Sequence, residues 1–270
     1  FAIDYTRGVN YNHLHMNDAR AGAEKLRSIL VLLATLGTIA FNWLAAAGNV
    51  SGVTPEMISD KYPSMITPAG YAFAIWSLIY FGLAAFSIYQ LLPANLMRFR
   101  PVRSLYIMSC ALNCAWIYFW HQEQIAVCLA VIIGLSVTLL LINIKLRDSD
   151  STAEAAMAKV PFGIYFGWIT AATLVNFAVL FVYMNVSLSA SASTIAGVLL
   201  ILLAAATGIL ARITLRSYFF PLAIAWALTA IAVKQSGQTF IVVAAAVGVV
   251  ACLIASLSFV MTLNSTETRV

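Results

Sequence analysis

Long uninterrupted runs of apolar residues constrain this chain more than any other feature of its sequence. Each run approaches or exceeds the roughly 20 residues that a helix needs to cross a bilayer. Hydrophobic residues make up 62% of the chain and charged residues only 9%, against roughly 25% charged residues in a soluble domain. The sequence therefore predicts an all-α integral membrane protein with eight spanning helices, at residues 28–47, 68–92, 103–120, 124–146, 160–184, 195–213, 217–233 and 240–263.

The basic residues divide unequally between the loops on the two sides of these spans. Thirteen of the 15 arginines and lysines fall on the side that holds both termini, whereas Lys61 and Lys234 fall on the other. Because basic loops stay in the cytoplasm, this division predicts that both termini are cytoplasmic or on the equivalent side. The same loops account for the net charge of +5, so we expect no nucleic-acid partner.

Ionisable residues are missing from the centres of the predicted spans. Proton pumps, ion-coupled transporters and voltage sensors normally need such groups, so only facilitated transport stays open as a transport function. The spans also lack a serine–histidine–acid set or paired carboxylates, which predicts that the protein is not an enzyme. The four cysteines lie inside apolar runs, which argues against a disulfide framework and a metal cluster. His121 suits either the membrane interface or, less readily, ligation of a metal or a tetrapyrrole centre.

Aromatic and amide side chains recur at helical spacing in the second, third and fifth spans. Trp76 and Tyr80 are four residues apart, and Trp116 follows Asn113 by three, so each pair lies near one helix face. Plain packing, an interfacial aromatic belt and a pocket for a flat ligand all produce such stripes. Trp120 fits the belt because it lies at a span end.

Three motifs at these positions resemble a known family. They are Pro68-Ala-Gly-Tyr-Ala-Phe-Ala-Ile-Trp-Ser-Leu-Ile-Tyr80, Asn113-Cys-Ala-Trp116 and Trp168-Ile-Thr-Ala-Ala-Thr-Leu-Val-Asn176. In this order, and on these spans, they resemble the tryptophan-rich sensory or translocator proteins (TspO/MBR) over residues 28–184. The chain departs from the family at Tyr71, where the motif has tryptophan, and at Ala69, where it has a second proline.

The resemblance implies a TspO-like five-helix bundle, often dimeric, with a pocket closed by the loop after the first helix, here residues 48–67. Family members bind porphyrins and, in some cases, sterols. No cofactor is required and no metal site is implied, but a porphyrin-like, haem-like or other pigment ligand is expected. The pocket residues carried over from the motifs are Tyr71, Phe73, Trp76, Asn113, Trp116, Trp168, Ala172 and Asn176.

The resemblance and the spans together predict three regions: a cytoplasmic segment (1–27), the five-helix core (28–184) and an additional three-helix region with a short tail (185–270). The added helices are rich in alanine and glycine, and Gly163 and Gly167 form a Gly-x-x-x-Gly pair. Such small residues serve either packing within the chain or docking to another membrane protein. The leading hypothesis is a receptor or carrier for a tetrapyrrole-like or other flat hydrophobic ligand. The alternatives are an accessory subunit of a larger membrane complex, bioenergetic or photosynthetic, and a facilitative transporter. Expected partners are membrane lipids, the hydrophobic ligand and either a second copy or a larger complex.

Overall fold

The computed structural model describes the backbone of residues 5–148 and 151–267 and the side chains of residues 22–148 and 151–258. Within these residues the protein is all α-helical. In chain order the helices are α1 (Tyr5–Ala46), α2 (Pro55–Lys61), α3 (Ile75–Tyr89), α4 (Arg100–His121), α5 (Ile125–Lys145), α6 (Thr152–Glu154), α7 (Val160–Tyr183), α8 (Ala190–Thr214), α9 (Phe219–Lys234) and α10 (Thr239–Glu267). Apart from α2 and α6 these helices are long, and they correspond to the eight predicted spans. Arg269, one of the 13 basic residues assigned to the side of the termini, lies outside the described residues.

Six of the described helical stretches are long and apolar enough to cross a membrane. Of the two other long helices, α9 has 16 residues and extends about 24 Å, less than the roughly 30 Å of a bilayer core. Helix α4 has 22 residues, but its tyrosines, its tryptophans and Asn113 lower its hydropathy. Both pack along helices that do qualify.

The five core helices form a closed ring. Going round it, α1 contacts α3, α3 contacts α7, α7 contacts α5, α5 contacts α4, and α4 returns to α1. A buried arginine joins the helices of the ring at the end of the bundle where the apolar stretch of α1 begins. Arg103 donates to Glu24 at 2.9 Å and to the Gln90 side chain at 2.8 Å. These bonds tie α4 to α1 and α3, and they satisfy a charge that would be costly to bury alone.

Helices α8, α9 and α10 pack against one another outside the ring, and α9 makes their main contact with it, along α7. The Gly-x-x-x-Gly pair lies in this contact. A Cβ added to Gly163 would lie 2.6 Å from the Ser217 hydroxyl oxygen, and one added to Gly167 would lie 2.5 Å from the Phe220 carbonyl oxygen. These two glycines therefore serve packing within the chain, because they allow α9 to approach α7 closely.

Two helix starts differ from the sequence expectation. The first helix begins at Tyr5, well before the predicted span at residue 28, and no proline interrupts the polar segment before the span. The second predicted span begins with a 3-10 turn, Gly70–Ala74, and becomes α-helical only at Ile75. The tighter turn changes the direction of the side chains within it.

We predict that Gly167→Ala destabilises the protein by about 1–3 kcal/mol, because the added methyl group meets the backbone of α9 rather than a flexible side chain. Gly37→Ala is the matched control, because Gly37 is also within a helix but a Cβ there would meet no atom within 4 Å. This control should be neutral or stabilising by up to about 1 kcal/mol. Thermal unfolding in detergent measures both, and equal stability of the two variants would contradict the close α7–α9 contact.

Candidate ligand site

Two cavities lie on either side of Trp76 and share Phe73 and Trp76 in their walls. The smaller has a volume of about 30 Å³ and lies between α3, α4, α7 and α9, beside α2. The larger, about 440 Å³, lies between α1, α2 and α3. The smaller is lined by Ser59, Pro68, Phe73, Trp76, Trp116, Trp120, Trp168, Ala171, Ala172, Val175, Asn176, Ala227 and Ile231. The larger is lined by Ile39, Asn42, Trp43, Ala46, Thr54, Pro55, Glu56, Phe73, Trp76, Ser77, Tyr80 and Ile117.

The structure brings six of the eight sequence-predicted pocket residues together around the smaller cavity. They are Phe73, Trp76, Trp116, Trp168, Ala172 and Asn176. The other two, Tyr71 and Asn113, line neither cavity.

Tyr71 lines neither cavity, although it belongs to the same 3-10 turn as Phe73. Tyr71 precedes Trp76 by five residues, which places the two side chains roughly 140° apart around a helix of 3.6 residues per turn. Its ring instead packs edge-on against Trp226 of α9, at a centroid distance of 5.4 Å. The position therefore joins the ring to the added helices.

Asn113 is fully buried behind the site and links three helices by hydrogen bonds. Its amide donates to the Tyr165 hydroxyl on α7 at 3.0 Å, and its carbonyl oxygen accepts from Asn42 on α1 at 2.7 Å. Asn42 uses its second N–H to bond the Thr38 carbonyl at 2.9 Å. Both N–H groups of Asn42 are thus engaged, and its carbonyl oxygen is the group that it offers to the larger cavity.

Trp76 lies at the centre of an aromatic cluster. Its ring stacks on Tyr80 at 5.4 Å and meets Tyr165 and Trp168 edge-on at 5.9 Å and 6.3 Å. Such ring pairs contribute about 0.5–1.5 kcal/mol each beyond the area that they bury. The cluster positions Trp76 where the two cavities adjoin.

The indole N–H groups of the α4 tryptophans are paired within the protein. Trp116 donates to the Asn176 side chain at 3.3 Å, and Trp120 donates to the Pro55 carbonyl of α2 at 3.1 Å. Trp120 is buried and stacks on Trp116 at 5.7 Å. The interfacial-belt interpretation of Trp120 is therefore wrong, because this residue forms a wall of the site.

Three buried polar atoms at the cavities have no hydrogen-bond partner among the described residues. They are the Ser59 hydroxyl, the Tyr80 hydroxyl and the Trp168 indole nitrogen. Ser59 and Trp168 line the smaller cavity, whereas Tyr80 lines the larger. A buried polar group without a partner costs about 1–3 kcal/mol, so each of these atoms would gain from a polar partner.

His121 is also buried, but it lies outside both cavities. Its Nδ1 is 2.8 Å from the Ile117 carbonyl of the same helix. A carbonyl only accepts, so Nδ1 is the donor in this contact. The described residues contain no group of three or more metal-ligating side chains, and nothing places His121 against a ligand in either cavity.

The loop after α1, residues 48–67, covers the smaller cavity through α2. It is fastened to the α4–α5 turn, where Lys61 donates to Glu123 at 2.7 Å and the Tyr62 hydroxyl donates to the same carboxylate. These hydrogen bonds, from Lys61 and then Tyr62, lower the pKa of Glu123. Burial, followed by the contact with Glu123, raises the pKa of Tyr62 to about 12. The carboxylate is therefore charged and the phenol protonated at neutral pH, which is the state that the bond requires.

Helix α9 holds the same loop from the other side. Lys234 bonds Asp60 at 2.8 Å, and the Gln235 amide donates to the Ser64 carbonyl at 3.0 Å. Beyond the loop, the Trp226 indole donates to the Ala72 carbonyl at 2.9 Å. Helix α9 thus fixes both the covering loop and the turn that carries Phe73.

Sequence reasoning missed two parts of the site. Ala227 and Ile231 of α9 line the smaller cavity, and Asn42 and Trp43 of α1 line the larger. The α9 pair belongs to a uniformly apolar helix with no motif, so its sequence carries no signal. Asn42, an isolated amide near the end of the first apolar run, is the sequence signal that could have pointed to α1.

Comparison with known proteins gives one family. The model of the TSPO-like protein family matches residues 28–259, whereas no curated protein and no solved structure matches the chain. The matched region extends past the three motifs, which end at Asn176, and includes α8, α9 and most of α10. The match covers well over half of the chain, and the protein therefore belongs to the TSPO-like family.

Proposed function

We propose that this membrane protein is a receptor or carrier that binds a flat hydrophobic ligand of the tetrapyrrole type at Trp76. The observation that carries this proposal is the aromatic wall of Phe73, Trp76, Trp116 and Trp168 at two adjoining cavities, in which the buried polar atoms of Ser59, Tyr80 and Trp168 have no partner among the described residues. Aromatic surfaces suit a planar ring system, and the polar atoms suit its heteroatoms. Family membership supports the coarser function, a membrane receptor or carrier.

The two cavities differ in what they can hold. The smaller, about 30 Å³, has room for little more than one water-sized group. The larger, about 440 Å³, is within the 300–1,000 Å³ that is typical of small-molecule sites. The ring system would therefore lie in the larger cavity against Trp76, and the smaller would take one polar substituent.

The polar groups around the larger cavity favour a ligand that both donates and accepts hydrogen bonds. The Asn42 carbonyl oxygen requires a donor, whereas the Tyr80 hydroxyl takes part in either role. The Trp168 indole, at the smaller cavity, requires an acceptor. A tetrapyrrole offers a planar surface for Trp76 and peripheral carboxylate acceptors for the Trp168 indole, whereas a sterol offers one hydroxyl group and no planar surface. The chemistry of the site therefore favours the tetrapyrrole.

The residues around the cavities favour binding over catalysis. Glu56 is the one carboxylate that lines either cavity, and no histidine or cysteine lines them. General acid–base catalysis commonly uses a pair of groups with different pKa values, which these walls do not provide. We therefore propose a non-enzymatic function.

The alternative of an accessory subunit drew on the small residues of α8 and α10, and the glycines among them pack within the chain. A Cβ added to Gly208 would lie 2.9 Å from the Cys252 sulfur, and one added to Gly248 would lie 2.7 Å from Leu228. These positions pack α8, α9 and α10 together, so they offer no surface to another protein. Facilitated transport stays an alternative that no described feature favours.

We also propose that both termini are cytoplasmic. The ion pairs Lys61–Glu123 and Lys234–Asp60 lie at one end of the bundle, and Arg103–Glu24 and Arg216–Asp148 lie at the other. Lys61 and Lys234 therefore share one end of the bundle, and Arg103 and Arg216 share the other, which agrees with the division of basic residues between the loops. A membrane-impermeant maleimide should label Ser51→Cys on intact cells and Met97→Cys only after permeabilisation. The reverse pattern would contradict the orientation.

We predict that Trp76→Ala raises the Kd for protoporphyrin at least about tenfold, which corresponds to roughly 1.4 kcal/mol. The loss of the central stacking surface is the physical reason. Absorbance titration of the purified protein in detergent measures the Kd without depending on tryptophan emission. Phe81→Ala is the matched control, because Phe81 is an exposed aromatic residue of the same helix that lines neither cavity.

Trp226→Ala is not a neutral control, because Trp226 packs on Tyr71 and bonds the turn that carries Phe73. Its effect on the Kd should lie between those of the other two variants. The same Kd in Trp76→Ala and Phe81→Ala would show that Trp76 serves packing alone, and the accessory-subunit alternative would then lead.

A further inference from the structure

A third cavity, of about 490 Å³, lies at the end of the bundle that carries the covering loop. It is bounded by residues 63–66 of that loop, the end of α7, the start of α8 and the end of α9. It shares no lining residue with the two cavities at Trp76. Two of its four walls come from helices outside the five-helix ring.

The walls of this cavity change from apolar to polar in one direction. Phe177, Phe181 and Leu200 form an apolar region on α7 and α8, whereas Ser193, Lys234 and Gln238 lie toward the helix ends. Because helix ends in a membrane protein lie near the interface, the polar part faces the headgroup level and the apolar part faces the hydrocarbon. A cavity with this gradient fits an amphiphile.

The cavity is accessible from the lipid and has a fixed shape. Phe177, Phe181 and Leu188 are exposed apolar residues at its edge, so an acyl chain can enter sideways between α7 and α8. The loop wall is held by Gln235, which bonds the Ser64 carbonyl at 3.0 Å. Gly197 lets the loop approach α8, since a Cβ there would lie 2.7 Å from the Cβ of Met65.

The charges at the cavity mouth distinguish between headgroups. Lys234 bonds Asp60 at 2.8 Å, and an ammonium group has two further N–H donors. Lys234 lines the cavity, and Asp60, which does not line it, sets a negative charge directly beside that ammonium group. A headgroup that carries both a phosphate and an amine complements this pair, whereas a purely anionic headgroup meets Asp60 as well as Lys234.

We propose that this cavity binds a phospholipid with a zwitterionic phosphoethanolamine headgroup. One acyl chain lies along Phe177, Phe181 and Leu200, the phosphate contacts Lys234, and the amine contacts Asp60. Ser193 and Gln238 suit the ester oxygens between the headgroup and the chain. The acyl chain of the phospholipid leaves the bilayer for a cavity that is equally apolar, so its transfer contributes little free energy. The headgroup contacts therefore provide the selectivity.

Native mass spectrometry of the full chain in detergent, titrated with dioleoyl phosphatidylethanolamine, tests this proposal. Ala196→Phe fills the cavity and should weaken binding about tenfold or more. Ala206→Phe is the matched control, because Ala206 is exposed on the same helix and does not line the cavity, and its affinity should equal that of the unmodified chain. Lys234→Gln replaces a half-exposed side chain and should weaken binding about tenfold through loss of one charge-assisted hydrogen bond. This variant also decides the matter if Ala196→Phe does not fold.

A separate variant tests the assignment of the headgroup through the lipid preference of the protein. Asp60→Asn should shift the preference from phosphatidylethanolamine toward anionic phosphatidylglycerol, which a merely structural role of Asp60 would not do. Three results would overturn the proposal: unchanged affinity in Ala196→Phe, tighter binding of phosphatidylglycerol by the unmodified chain, or equal binding of soluble phosphoethanolamine that lacks acyl chains.

Discussion

Asn113 accepts a hydrogen bond from Asn42 and donates one to Tyr165, and the geometry of the site depends on this chain of contacts. Inside an apolar bundle a polar group has few partners other than its neighbours on facing helices. These hydrogen bonds therefore fix α1, α4 and α7 relative to one another. Trp76 packs edge-on against the same Tyr165, so the position of the central aromatic ring follows from the amide network beneath it.

Most buried polar groups near the site form hydrogen bonds within the protein, so the few that have no partner stand out as candidates for ligand contact. Trp116 and Trp120 bond a side chain and a carbonyl, whereas Trp168, on the facing helix, has no acceptor among the described residues. Under the proposed function, the unpaired Trp168 indole marks the place where a ligand atom would bind. The hydroxyls of Tyr80 and Ser59 are likewise buried without a partner among the described residues, in side chains that line the two cavities at Trp76.

The added helices belong to the site as well as to the membrane anchor. Helix α9 lies close to α7 because Gly163 and Gly167 allow it, and from there it reaches both the covering loop and the turn before α3. A five-helix bundle has no element in this place. The match of the family model over residues 28–259 agrees with a single unit in which α8, α9 and α10 accompany the ring.

The sequence predicted the helices and much of the site, and its omissions have physical causes. Apolar runs located all eight long helices, and the resemblance of the three motifs implied a shared pocket for Trp76, Trp116 and Trp168, which line one cavity in the structure. Tyr71 lies elsewhere because it precedes Trp76 by five residues, roughly 140° round a helix. The contributions of α1 and α9 depend on which helices meet in space, and periodicity within one helix does not report this.

The most direct test of the account is the indole N–H signal of Trp168 in a ¹⁵N–¹H spectrum of the labelled protein during titration with protoporphyrin. Trp168 lacks an acceptor and Trp226 already bonds the Ala72 carbonyl. The account therefore predicts that the Trp168 signal moves downfield on binding, as its N–H gains an acceptor, while that of Trp226 moves little. A Trp168 signal that stays in place at saturating porphyrin would contradict the assignment of this site to the ligand.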